Sequence, residues 1–77
     1  MCLAIPARII TINDDRLATV DILGVTREVA LDLVPQALVG DFVLIHAGYG
    51  IEVVSEDFAQ ETLDLIREFP ELVEPPR

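Results

Sequence analysis

The sequence predicts a mainly β protein: a small OB-like barrel of about five strands, followed by a C-terminal α-helix and a short mobile tail. Three observations carry this. Apolar and polar residues alternate with a period of two between Leu17 and Leu23, as in a half-buried strand. Short β-branched runs are separated by Asn/Asp- and Gly-containing turns. A helical three-and-four repeat begins only after Ser55. Five short strands leave exposed edges unless the sheet closes on itself, which points to a barrel of the OB or SH3 kind.

Strand one is expected over Ala7–Ile12, rich in β-branched and apolar residues, before the turn-forming Asn13-Asp14-Asp15. Strand two spans Leu17–Leu23, with Ala18, Val20 and Ile22 on one face and Thr19 and Asp21 on the other. Gly24 breaks the run and strand three resumes over Val25–Leu31, so these two form a hairpin. Val25, Val29 and Leu31 share a face, and Arg27 has their parity, which puts it either at the barrel rim or at a bulge. Leu33–Val39 holds Pro35 without clean periodicity and reads as an irregular crossover or a single turn, ended by Gly40-Asp41.

Phe42–Ala47 is continuously apolar except for His46, the pattern of a strand covered on both faces. Gly48-Tyr49-Gly50 reads as a turn and Ile51–Val54 as the last strand. Ser55 is a good N-cap, and Glu56 and Asp57 suit the positive end of a helix dipole. Phe58, Ala59, Thr62, Leu63, Leu65, Ile66 and Phe69 form the face expected to pack on the sheet, and Pro70 stops the helix. The expected organisation is one domain over 1–77: barrel 1–54, helix 55–69, and an extended mobile tail 70–77 containing Pro75 and Pro76.

Composition excludes several function classes. The net charge is −9 and all five cations are arginine, a balance that repels phosphate backbones and argues against nucleic acid as a partner. A hydrophobic share of 52% is too high for a disordered acidic tail. A chain of 77 residues has an expected radius of gyration of roughly 11–12 Å, with little room for an enclosed ligand pocket. One cysteine excludes an intramolecular disulfide or a Cys-x-x-Cys motif and fits a reducing compartment, the cytoplasm. Phe42–Ile51, the longest nearly uncharged run, is about half the ~20 residues that span a bilayer, so no membrane association is expected. Met1–Arg8 has no basic segment ahead of its apolar residues and does not read as a signal peptide. Gly48 and Gly50 begin a dinucleotide fingerprint, but Val53 occupies the third glycine position, so no nucleotide is expected.

Two residues are candidates for chemistry. Removal of Met1 ahead of the small Cys2 would leave an α-amine beside a thiol, a compact N,S chelate whose positive charge favours the thiolate. Thiolate suits soft metal centres, iron included. The plainer reading of Cys2 is a small hydrophobe under the first strand. His46 interrupts the most apolar strand at its end, a place for a ligand or acid–base group; the plainer reading is a structural histidine bonded to a backbone carbonyl. Nucleophilic catalysis by a Cys2/His46 pair lacks an oxyanion hole and a pocket, so the protein is not read as an enzyme.

Met1-Cys2-Leu3-Ala4-Ile5-Pro6, then Val20-Asp21 and Gly24-Val25-Thr26-Arg27-Glu28-Val29, then Gly40-Asp41-Phe42-Val43-Leu44-Ile45-His46-Ala47-Gly48-Tyr49-Gly50-Ile51, closely resembles the HypC/HupF family of NiFe-hydrogenase maturation chaperones. The resemblance covers nearly the whole chain. It implies an OB-like barrel with a C-terminal helix and a part in building the Fe(CN)2CO group of these hydrogenases. It also implies complexes with the iron–sulfur protein HypD and then with the hydrogenase large-subunit precursor. Carried onto this chain, the family's N-terminal cysteine is Cys2 and its motif histidine is His46; the Cys2 thiolate is expected to bind the iron transiently, with His46 as second ligand or orienting hydrogen-bond partner and HypD supplying the rest. Leu3, Ile5 and Pro6 beside Cys2 would form an apolar, stiffened arm for docking on a partner. The plainer reading is that Leu3 and Ile5 begin the core and Pro6 only sets the entry angle of strand one. The alternative function is a barrel adaptor that binds protein partners without metal chemistry.

Overall fold

The computed structural model describes residues 4–69; Cys2, Leu3 and the expected tail at 70–77 lie outside them. Five strands, β1 (Ile5–Ile12), β2 (Leu17–Ile22), β3 (Val25–Ala30), β4 (Phe42–His46) and β5 (Tyr49–Val54), close into a barrel in the order β1-β2-β3-β5-β4, and one helix, α1 (Glu56–Glu68), follows. All the pairings are antiparallel except β3 with β5, a single parallel bridge between Ala30 and Tyr49. The expected class is the observed one.

The core follows the alternation. Ala7 and Ile9 of β1, Ala18 and Val20 of β2, Val29 of β3 and Val43 of β4 point into the barrel and are buried with Leu31. The crossover is a succession of turns, Val34 N–H to the Leu31 carbonyl, Ala37 N–H to Val34 and Asp41 N–H to Leu38, which drops Val34 and Ala37 into the same core. Among the described residues no polar or charged side chain is buried, so the core costs no unpaired polar group. A second cluster joins Phe42 of β4 to Ala59, Leu63 and Ile66 of α1, with Ile5, Leu23 and Val54 packed around it.

Several boundaries differ from those expected. β1 starts at Ile5 rather than Ala7, taking in Pro6. Ile9 exchanges both backbone bonds with Gly40 and Asp41, so odd-numbered residues of β1 direct their backbone groups toward β4. Pro6 therefore turns its missing donor to the side where β2 pairing has not yet begun, at Arg8, and the strand loses no bond to it. Leu23 is not in a strand but forms a two-residue turn with Gly24, at φ 52° and 90°, because its side chain belongs to the helix cluster. Arg27 lies opposite Val20 in an unbroken β2–β3 register, so there is no bulge. It is exposed, as is Val25, because β3 meets β5 only at Ala30 and splays away toward the hairpin tip.

The helix face is narrower than the sequence suggests. Ala59, Leu63 and Ile66 are buried, while Phe58, Leu65 and Phe69 are 48%, 55% and 47% exposed and form a stripe beside the packed one. Ser55 caps the helix, its Oγ accepting the Phe58 N–H at 3.1 Å. Cover on both faces of β4 holds at Phe42 and Val43, where α1 lies; Leu44, Ile45 and His46 are half-buried.

Candidate functional site

The start of β1 and the end of β4 meet. Ile5 stands opposite Ile45, Pro6 opposite Leu44 and Ala7 opposite Val43, so Ala4 and His46 each lie one residue beyond the first pair. The direction in which the chain enters β1 is fixed by burial: Pro6 is fully buried and Ile5 half-buried against the helix cluster. His46 is half-buried, pairs across the sheet with Tyr49, and its imidazole makes no hydrogen bond among the described residues.

The turn after His46 is Ala47-Gly48, not the Gly48-Tyr49-Gly50 expected from sequence. Both residues have positive φ, 53° and 86°, the signature of a two-residue type I′ hairpin whose twist matches its strands. The Gly48 carbonyl accepts the Ala30 N–H at 3.0 Å, so the turn that presents His46 also closes the barrel onto β3. Gly50 lies in β5 and has another reason to be glycine: a Cβ there would meet Leu31 Cδ2 at 3.0 Å. The β4–β5 register shifts between Leu44, which pairs with Glu52, and Ile45, which pairs with Gly50, leaving Ile51 as the extra residue of a bulge in β5.

Arg16 is a residue that sequence reasoning missed. Asn13 Oδ1 accepts the N–H groups of Asp15 and Leu17, and the turn leaves Arg16 at φ 61°, a conformation unfavourable for a side chain. Its guanidinium Nη2 donates to the carbonyls of Val34, Pro35 and Ala37 at 3.1, 3.1 and 3.3 Å, and its own carbonyl accepts the Leu31 N–H. The arginine thus latches the crossover to the β1–β2 turn. A side chain that bonds backbone carbonyls far along the chain leaves no local pattern.

Among the described residues no three His, Cys, Asp or Glu side chains converge. The pair expected to meet a metal, Cys2 and His46, has one member described. No helix of the described residues is long and apolar enough to cross a membrane.

The closed five-stranded barrel followed by one helix places the chain in the class of small OB-like barrel proteins. The HupF/HypC family model matches residues 1–66. Among curated proteins, the hydrogenase maturation factor HypC of Helicobacter hepaticus is 47% identical over 66 residues, covering 84% of this chain and 77% of that one. HypC of Cupriavidus necator is 43% identical over 76 residues, covering 99% and 83%. The hydrogenase maturation factor HybG of Escherichia coli K12 is 34% identical over 74 residues, covering 88% and 90%. This chain belongs to the HupF/HypC family.

Proposed function

We propose that the protein is a NiFe-hydrogenase maturation chaperone that carries the Fe(CN)2CO group as cargo, in complex first with HypD and then with the hydrogenase large-subunit precursor, in the cytoplasm. The observation that carries the reading is the β1–β4 register, which sets Ala4 beside the strand end that bears His46. Cys2 lies two positions before Ala4, with Leu3 between them, a reach of at most ~7 Å, so the thiol has the length of chain it needs to share one metal with the imidazole.

Each residue then has a role. The Cys2 thiolate binds the iron, and the α-amine adds an N,S chelate when Met1 is removed. His46 is a second ligand or a hydrogen-bond partner that orients the group. HypD supplies the rest of the coordination, and a first shell divided between two proteins lets the iron move on. Pro6, being buried, serves docking only by fixing where the chain enters β1, while Leu3 and the exposed part of Ile5 would offer the apolar contact that keeps water and oxygen from the iron. The role is that of a carrier, with no turnover of its own.

The half-exposed stripe of Phe58, Leu65 and Phe69 favours a second reading, an adaptor that binds protein partners without touching metal. An anaerobic pull-down from the native host, with a C-terminal tag that leaves Cys2 free, tests the first. The carrier recovers HypD and the large-subunit precursor, with infrared bands of iron-bound CN and CO in the eluate. If neither partner is recovered under conditions where the host makes hydrogenase, the carrier reading fails and the adaptor reading takes its place.

A further inference from the structure

Between α1 and the outer face of β1 and β2 runs a groove of about 220 Å³. Leu23, Phe42 and Leu63 give it an apolar floor, and the exposed Arg8, Gln60 and Arg67 line its rim. It is smaller than the roughly 300–1,000 Å³ of a small-molecule site, but has room for one large apolar side chain. We propose that this groove docks an acidic peptide segment of a partner protein, an apolar side chain flanked by carboxylates.

Charge placement selects the occupant. Among the described residues there are four arginines. Arg16 is taken up by the carbonyls of the crossover, and Arg27 donates to the Thr26 carbonyl at the hairpin. The other two, Arg8 and Arg67, both line the groove. Although the chain as a whole carries a net charge of −9, among the described residues this is the groove where an incoming carboxylate meets two arginines. Neither arginine is neutralised firmly. Arg8 faces Asp21 across the β1–β2 register, but no ion pair joins them among the described residues. Arg67 pairs with Asp64 at 3.1 Å, with both side chains well exposed, a weak contact that leaves other guanidinium donors for a ligand.

Arg8 and Phe42 lie three pairs along the β1–β4 ladder from Ile5 and Ile45, and Phe42 is four residues, about 13 Å, from His46. The groove is therefore a second contact, usable in the same complex and independent of any metal.

The test is a titration of the ¹⁵N-labelled full chain with a blocked Glu-Glu-Leu-Phe-Glu-Glu peptide, beside its Gln-Gln-Leu-Phe-Gln-Gln analogue. Amide shifts are expected at Arg8, Leu23, Gly24, Gln60 and Leu63 with the acidic peptide and not with the neutral one. Arg8→Gln and Arg67→Gln should each weaken binding by up to about fivefold. Asp21→Asn, which removes the groove's own carboxylate, should tighten it. All three positions lie outside the core, and thermal melts confirm that the variants are folded. Equal response to both peptides, shifts dispersed over other faces, no saturable binding at millimolar peptide, or an Asp21→Asn variant that binds more weakly would overturn the proposal.

Discussion

Ile5 of β1 stands directly opposite Ile45 of β4, one residue before His46. These positions are far apart in the chain, and their pairing decides which end of the barrel the N-terminal residues approach. Had β1 slipped by one residue against β4, Ala7 would have left the core and the burial of the whole strand would have been inverted. The core that holds the barrel together therefore also fixes the location of the candidate site.

His46→Gln should leave the fold intact, since the ring is half-buried and makes no hydrogen bond among the described residues. Stability in urea should change by less than about 0.5 kcal/mol. Hydrogenase activity in a host complemented with the variant should fall by about tenfold or more, the size of effect seen when a ligand or its orienting partner is lost.

Gly50→Ala places a methyl 3.0 Å from Leu31 Cδ2 and 3.5 Å from Val34 Cγ2, against a leucine that is fully buried. The expected loss is about 1–3 kcal/mol in denaturant unfolding, the ordinary penalty of overpacking.

Ala47→Asn acts in the opposite direction. Ala47 has φ 53° in the hairpin turn, a conformation that asparagine adopts more readily than alanine. The variant should be more stable by about 0.5 kcal/mol, read as a higher denaturation midpoint at unchanged slope.

Arg16→Met keeps the aliphatic stem and removes the three hydrogen bonds to Val34, Pro35 and Ala37. A cost of about 1–3 kcal/mol is expected, together with faster amide exchange over the crossover than over β1 and β2.

Much of this was legible because it is local. The alternation of Ala18, Val20 and Ile22 placed β2, and Ser55 followed by two acids placed the start of α1, where the cap is observed. What was misjudged depends on distant neighbours. Gly48-Tyr49-Gly50 looks like a turn centred on Tyr49, but Gly50 answers to the packing of Leu31 and the turn sits one step earlier. Leu23 reads as strand by its apolar character, which in fact serves the helix cluster. Phe58, Leu65 and Phe69 fit the helical period, yet the barrel wall covers only the stripe of Ala59, Leu63 and Ile66. Cys2 and His46 stood out by residue type and by the resemblance, and the register that relates their ends of the chain is tertiary information.

The most direct test of the carrier reading compares the wild type with Cys2→Ser and Cys2→Ala in anaerobic complexes isolated with HypD. Infrared spectroscopy should show iron-bound CN and CO with the wild type and lose those bands with either variant, while HypD is still recovered, because serine keeps the size and polarity but not the soft ligand. Bands of undiminished intensity with Cys2→Ala would contradict the account and leave the barrel as an adaptor that holds no iron.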